Sequence, residues 1–177
     1  RIQKDTDLGI CFQNRYNPCS QKAKSLIDSG EAGKVLGCRG LVTWDRQSDY
    51  YTSTDWRGRK AKEGGGVLAN QTIHTMDLLN YITGATPVSI AASMQNHHLA
   101  DVIDEEDMME ARITYENGAV GYFFATSGYM EDSAPLIEIV CENMKIRMED
   151  PELTVFYKDG RKEKPELPKV EALGKGY

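Results

Sequence analysis

The chain of 177 residues has no long hydrophobic run, and its longest apolar stretches, such as residues 8–12 and 122–125, are short. A helix that crosses a membrane needs about 20 consecutive apolar residues, so we expect no membrane-spanning segment. No stretch has the pattern of a secretory signal peptide. A basic patch is also lacking, and the formal net charge is −6. We therefore expect neither nucleic acid nor a membrane surface as a partner.

Cysteine is scarce, and no two of the four cysteines have the C-x-x-C spacing of redox or zinc motifs. No histidine lies beside them in a metal-binding pattern. This usage is typical of reduced thiols, and it predicts a cytoplasmic protein. The cysteines are Cys11, Cys19, Cys38 and Cys141.

One segment has the composition of a metal site, because His97-His98 precedes an acidic run over residues 101–107. The carboxylates follow one another along the chain instead of converging from separate elements. Charge runs of this kind usually face solvent, so we expect no metal site.

Apolar periodicity and turn residues divide the chain into helices and strands. The pair Asn17-Pro18 begins one helix, with Asn17 as its cap, and Gly30 and Gly33 end it. A second helix follows Gly64-Gly65-Gly66 and ends at Gly84. Strands are predicted over residues 8–13, 34–44, 87–94, 107–115, 119–125, 136–141, 145–148 and 155–157. Because the later strands follow one another without helices between them, we predict an α+β fold: an open, largely antiparallel mixed sheet with helices packed on one face.

The second helix carries the most chemical information. At 3.6 residues per turn, Asn70, His74 and Asp77 lie on one of its faces, and apolar residues lie on the other. The polar face is interpreted either as a solvated surface or as a site. The glycine triplet favours a site, because glycine lets a backbone approach a neighbour or a ligand closely.

Both tryptophans lie in or beside the loop that follows the strand over residues 34–44. Aromatic rings and arginines together suit a polyhydroxylated ligand, and the alternative is that the rings pin a long loop to the domain. A polar segment at the end of the first strand faces a helix start, which is a common ligand position and an equally common structural joint. Tyr129 either lines the same pocket or packs. The substrate-binding candidates in these segments are Asn14, Arg15, Trp44, Arg46, Tyr51, Trp56, Arg57 and Tyr129.

In their order and spacing, these motifs resemble those of the Gfo/Idh/MocA oxidoreductases, the glucose–fructose oxidoreductase and inositol dehydrogenase family. The resemblance covers roughly residues 8–148 and is most specific between Gly64 and Gly84, where the glycine triplet, the histidine and the aspartate occur. The other matching motifs are NRYNP at residues 14–18, LIDSGEAGKV at 26–35, WDR at 44–46, YY at 50–51 and WRG at 56–58.

The resemblance implies a two-part enzyme. A Rossmann domain outside this chain would bind NAD or NADP, and residues 17–157 would form an α+β domain for substrate binding and oligomerisation. Residues 1–16 would be a remnant of the last Rossmann strand, and residues 158–177 a charged tail. The open sheet face would form a homo-oligomer. The implied reaction is hydride transfer between a sugar or cyclitol hydroxyl and the nicotinamide, and the chain alone is expected to be inactive.

The polar helix face is consistent with that reaction. Oxidation of an alcohol requires a base for the hydroxyl proton, and a neutral histidine suits this role, so His74 is the expected base. Asp77 either orients the His74 ring or anchors the helix, and it is also a candidate for substrate binding. The family often has aspartate where this chain has Asn70. An amide binds a hydroxyl but cannot take its proton, so Asn70 and His74 together are our catalytic candidates.

Two motifs of the family are lacking. The chain contains no G-x-G-x-x-G fingerprint, and the family's catalytic lysine, in a Glu-Lys-Pro motif of the Rossmann domain, has no counterpart here. Glu163-Lys164-Pro165 is interpreted as a coincidence, because it lies in the charged tail on the wrong side of the helix motif. Asn70 suggests an alternative function, which is a non-catalytic relative that binds a sugar or serves as a regulatory or scaffolding subunit.

Overall fold

In the computed structural model, residue 7 and residues 9–168 are described. A 3₁₀ turn (Gln13–Tyr16) precedes the first helix, and a π-helical segment (Val67–Thr72) precedes the third. The helices are α1 (Pro18–Asp28), α2 (Ser48–Thr52) and α3 (Ile73–Thr83). The strands are β1 (Val35–Thr43), β2 (Pro87–Gln95), β3 (Met108–Tyr115), β4 (Val120–Thr126), β5 (Leu136–Cys141), β6 (Met144–Glu149), β7 (Glu152–Tyr157) and β8 (Lys162–Glu163).

All these strands form one sheet in the order β2-β3-β4-β1-β5-β6-β7-β8. Strands β1 and β4 pair in parallel. The other neighbouring strands of the described chain pair antiparallel. The parallel pair arises because the chain leaves β1 through a long loop and a helix before it returns to the sheet. The predicted α+β class is confirmed.

Helices α1 and α3 cover one face of this sheet. Gly40 in β1 allows α3 to pack closely, because a Cβ there would lie 2.9 Å from Leu79 Cδ1 and 2.7 Å from Phe123 Cδ2. Leu79 is fully buried against the middle of the sheet, and this contact fixes the height of α3 above β1. No helix of the described residues is long and apolar enough to cross a membrane.

The boundaries of α1 agree with the sequence, but its cap does not. Pro18 occupies the first helical position, and Asn17 precedes it with extended backbone angles. The Asn17 side chain donates 2.9 Å to Asp150 Oδ2 and makes no hydrogen bond to the helix. Asn17 therefore ties α1 to the loop after β6 instead of capping the helix.

The two ends of the described chain differ from prediction. The predicted buried strand over residues 8–13 is absent from the part that the structure describes: residues 9–12 pair with no strand, and Ile10 is 80% exposed. A strand needs a neighbour for its backbone groups, and none is present here. At the other end, Lys162 and Glu163 of the predicted tail pair with β7. The next residue, Lys164, binds Glu152 at this sheet edge.

The acidic run does not simply face solvent, because Asp107 is fully buried. Its carboxylate accepts backbone N–H groups from His97 at 3.0 Å, His98 at 2.6 Å and Leu99 at 2.8 Å. Its backbone carbonyl accepts the N–H of Ser127 at 2.9 Å. Asp107 thus joins the loop after β2 to the end of β4.

We predict that Asp107→Asn lowers the free energy of unfolding by about 3 kcal/mol or more. The amide has one acceptor oxygen for three N–H donors, and its own NH₂ group would face a donor. Chemical denaturation of the chain measures this loss. Asp101→Asn is the control, because Asp101 is exposed in the same acidic run. Equal stability of the two variants would contradict a structural role for Asp107.

Candidate functional site

The glycine triplet fits against the acidic run. A Cβ at Gly66 would lie 2.0 Å from the carbonyl oxygen of Glu106, so glycine alone allows this approach. That carbonyl accepts the N–H of Val67 at 2.9 Å, and the Glu106 carboxylate accepts the N–H groups of Gly66 and Leu68, each at 3.1 Å. Three N–H groups at this helix start, those of Gly66, Val67 and Leu68, are therefore satisfied within the chain. The predicted close approach occurs, and the group approached is Glu106.

The helix carrying the polar face is not regular along its length. We expected one helix through this region, but Val67–Thr72 is π-helical and the α-helix begins at Ile73. In a π-helix each N–H binds the carbonyl five residues back. Such segments are rare and frequently occur at functional sites. Asn70 lies within the wider turn, and His74 lies just after it.

Asn70 is held by a carboxylate. Its Nδ2 atom donates to Oε1 of Glu63, whose Oε2 accepts the backbone N–H of Gly58. A carboxylate only accepts hydrogen bonds, so the amide nitrogen must be the atom that faces Glu63. Asn70 Oδ1 is thereby left to accept a hydrogen bond from another group.

A cavity of about 290 Å³ opens beside this pair. Of the predicted aromatic residues, Trp56 reaches it, and its side chain is 41% exposed. Lys62 is also at the cavity, where its Nζ atom binds Asp55 at 2.7 Å. The lining residues are Trp56, Lys62, Glu63, Ala69 and Asn70.

His74 lies one helical turn further along. Its Nδ1 atom is buried and has no hydrogen-bond partner within the described residues. The ring of Phe12 meets the imidazole edge-on, with ring centroids 5.9 Å apart. A buried imidazole nitrogen without a partner is an uncommon feature in a folded core. The His74 ring therefore keeps the capacity for one further hydrogen bond at Nδ1.

Asp77 does not bind His74. Its two oxygens accept from Arg15 Nε at 2.7 Å and Nη2 at 2.5 Å, and the guanidinium also lies 4.9 Å from the Tyr81 ring centroid. The hydrogen bond to Asp77 raises the pKa of Arg15. Of the two alternatives for Asp77, this geometry favours anchoring. The ion pair also occupies the guanidinium of Arg15, a predicted substrate-binding group.

The first part of the aromatic–arginine loop is engaged in protein contacts. Arg46 Nη1 binds both oxygens of Asp132, at 2.8 and 2.9 Å, and its guanidinium lies 4.9 Å from the Trp44 ring centroid. Trp44 Nε1 donates to the Ser133 carbonyl at 3.1 Å. These contacts favour the alternative in which Trp44 and Arg46 attach the loop to the domain.

Arg57 and Tyr51 also lie inside the loop packing. The Arg57 guanidinium is 4.4 Å from the Tyr50 ring centroid, and its buried Nε has no partner in the described chain. Tyr51 donates to Ser127 Oγ at 3.2 Å and accepts from Gln71 Nε2 at 3.1 Å. Burial raises the pKa of Tyr51, so its hydroxyl keeps its proton. Tyr51 therefore supports the helix instead of facing the cavity.

The remaining candidates are Asn14 and Tyr129. Asn14 lies in the 3₁₀ turn next to Arg15. Tyr129 is 52% exposed, its backbone N–H donates to the Trp44 carbonyl at 3.0 Å, and it does not line the cavity beside Asn70. Both residues stay predicted substrate-binding groups.

The three buried cysteines are poor candidates for a nucleophile at this site. All four are free: Cys11 is exposed and the other three are buried. Burial raises the pKa of Cys19 to about 12, with a hydrogen bond to Asp150 as the second cause. Burial likewise raises the pKa of Cys141 to about 11. Such thiols stay protonated at neutral pH.

Sequence reasoning missed Glu63 and Lys62. Glu63 stands immediately before the glycine triplet and seven positions before Asn70. The sequence did show a carboxylate next to a glycine-rich turn, which could have indicated a binding residue. Only the folded turn, however, brings Glu63 back to Asn70.

The sequence of this chain is similar to a known domain family and to two named dehydrogenases. A family profile, the GFO/IDH/MocA C-terminal domain, matches residues 20–147. The scyllo-inositol 2-dehydrogenase (NAD(+)) of Bacillus subtilis is 30% identical over 136 residues, covering 73% of this chain and 37% of that protein. The levoglucosan dehydrogenase of Pseudarthrobacter phenanthrenivorans is 27% identical over 137 residues, covering 66% of this chain and 35% of that protein.

A solved structure of a dehydrogenase has a similar fold. The WlbA dehydrogenase of Bordetella pertussis, in complex with NADH and UDP-GlcNAcA, superposes with a TM-score of 0.74 at 30% identity, covering 79% of this chain and 40% of that one. The chain thus spans between 35% and 40% of the length of these three proteins. The profile match covers most of the chain and the folds agree, so the chain belongs to the Gfo/Idh/MocA family through its C-terminal domain.

Proposed function

We propose that this chain is the substrate-binding part of an NAD(P)-dependent dehydrogenase that transfers a hydride between a sugar or cyclitol hydroxyl and nicotinamide. The observation that carries the proposal is the helix on which Asn70, beside a cavity, is followed by His74 with its unpartnered buried nitrogen. The relatives named above include a levoglucosan and a scyllo-inositol dehydrogenase, and the WlbA structure holds NADH.

The described residues fit the substrate side of this reaction. The dinucleotide supplies the group that accepts or gives the hydride, and we assign its binding mainly to a preceding Rossmann domain. The start of the π-helical segment offers its phosphates no free N–H cradle, because Glu106 occupies it. We keep residues 1–16 as a remnant of that domain and residues 17–157 as the substrate domain. In the predicted tail over residues 158–177, β8 extends the sheet.

In this proposal each side chain has a separate task. His74 takes the proton of the reacting hydroxyl as hydride leaves, and returns it in the reverse direction. Asn70 Oδ1 accepts a hydrogen bond from a substrate hydroxyl and helps to orient the ring. Trp56 provides an apolar wall at the cavity. The free cysteines, three of them buried, fit a cytoplasmic location.

We predict that His74→Ala lowers kcat of the full-length protein by about 10²–10⁴-fold, because a general base contributes an acceleration of that size. Steady-state turnover with NAD and with NADP over a panel of sugars and cyclitols measures the effect. His97→Ala is the matched control, since the side chain of that histidine is exposed and does not line the cavity beside Asn70. Unchanged turnover in the His74 variant would remove this residue from the mechanism.

Asp77→Asn separates the two roles considered for that carboxylate. As an anchor for Arg15, Asp77 contributes two charge-assisted hydrogen bonds, so we expect a loss of about 2 kcal/mol in the free energy of unfolding. The shape of the pH–rate profile should stay unchanged, because no contact joins Asp77 to His74 within the described chain. A shift of the acid limb without loss of stability would support ring orientation instead.

We also infer that the uncovered sheet face joins copies of this domain. Arg112, Tyr122 and Arg39 lie side by side across β3, β4 and β1, and Tyr122 is 58% exposed. A groove of about 720 Å³ runs along this face, and its walls include Phe124 and Glu110. Apolar rings flanked by charges of both signs suit an isologous contact, in which each copy offers the same patch.

Tyr122→Arg should therefore dissociate the oligomer of the full-length protein, because it places a third guanidinium between Arg39 and Arg112 in the middle of that contact, where like charges repel. Sedimentation velocity gives the mass of the assembly. Lys22→Glu is the control, since Lys22 is exposed on α1 at the covered face. An unchanged mass for the Tyr122 variant would exclude this face as the interface.

A further inference from the structure

Glu63 lies at the centre of the cavity contacts but has no role in the mechanism above. Both of its carboxylate oxygens have a protein donor, one from the Asn70 side chain and one from the Gly58 backbone. The Gly58 donor is fixed in place. Its φ is +65°, and a Cβ there would lie 2.3 Å from Ile103 Cγ2. Glu63 is thus held at one end by rigid backbone and holds Asn70 at the other.

This contact accounts for the amide at position 70. An aspartate there would place two carboxylates against each other, and two like charges in one site disfavour ionisation of both. An amide removes the repulsion and donates a hydrogen bond to Glu63 Oε1. The pair therefore contains one carboxylate and one amide, with the carboxylate on the loop instead of on the helix.

The charges around the cavity point to a neutral ligand. Lys62, the cation among the lining residues, is paired with Asp55. The Glu63 carboxylate and Asn70 Oδ1 therefore present hydrogen-bond acceptors to the cavity, with a negative charge between them. Neighbouring hydroxyl groups, which are donors, match such a wall, and a carboxylate or phosphate group does not.

We propose that Glu63 and Asn70 form an acceptor pair that binds two neighbouring hydroxyls of a neutral sugar or cyclitol. Glu63 is both a binding group and a positioning residue, because it turns the Asn70 amide so that Oδ1 faces the ligand. This inference rests on the proposed dehydrogenase function and specifies its substrate class. It also explains the asparagine at position 70 without a loss of catalytic activity.

Three variants of the full-length protein test the pair. Glu63→Gln should raise KM about tenfold for a neutral substrate and leave kcat and the melting temperature nearly unchanged. Asn70→Asp should raise KM about 100-fold through repulsion. The double variant, which exchanges the carboxylate and the amide, should return KM to within about tenfold of the wild type. Glu105→Gln is the control, since Glu105 is half-buried in the acidic run.

The ligands are D-glucose, levoglucosan and scyllo-inositol, with D-glucuronate as the anionic counterpart of D-glucose. Calorimetric titration measures their binding independently of turnover. We expect a neutral ligand to bind and D-glucuronate to bind at least tenfold more weakly than D-glucose. Binding of a neutral ligand without turnover would refute the dehydrogenase function and leave the acceptor pair standing.

Other results would overturn the acceptor pair itself. These are a wild-type KM in Glu63→Gln, a preference for D-glucuronate over D-glucose, or a lack of binding by every neutral ligand. A fall in melting temperature that matches the change in KM across the variants would show that Glu63 only supports the fold.

Discussion

The approach of Gly66 to Glu106 is the contact on which the site depends. A side chain at position 66 would collide with the Glu106 carbonyl, 2.0 Å away, so the loop closes there only with glycine. The same acidic residue then binds the N–H groups of Gly66 and Leu68. Together these contacts fix where the π-helical segment begins, and thereby where Asn70 and His74 lie relative to the sheet.

Two adjacent carboxylates of the acidic run bind different segments of the chain. Glu106 binds the helix start, and the next residue, Asp107, binds three backbone N–H groups of the loop after β2. A carboxylate that accepts several N–H groups replaces much of its lost hydration, which allows complete burial of Asp107. Glu106 and Asp107 thus hold together the loop after β2, the start of the π-helical segment and the end of β4.

Ion pairing decides which predicted residues remain available to a ligand. Asp77 occupies Arg15, and Asp132 occupies Arg46, so two arginines chosen as binding groups hold the structure together instead. At the cavity and on the helix beside it, the described groups that can still bind a ligand are the Asn70 oxygen, the remaining lone pairs of the Glu63 carboxylate and the imidazole of His74. This selection favours a hydroxylated ligand that gives hydrogen bonds and a proton over one that brings negative charge.

Local pattern determined the α+β class, most strand positions and the end of α3 at Gly84. Period and turn chemistry are properties of neighbouring residues, so they can be read from the sequence. Only the tertiary structure decided the π-helical start, the unpaired residues 9–12 and the pairs Arg15–Asp77 and Glu63–Asn70. Each of these depends on which segments the fold brings together. The hydrogen bonds of a side chain are set by the residues that lie near it in space, and those residues can be far away along the chain.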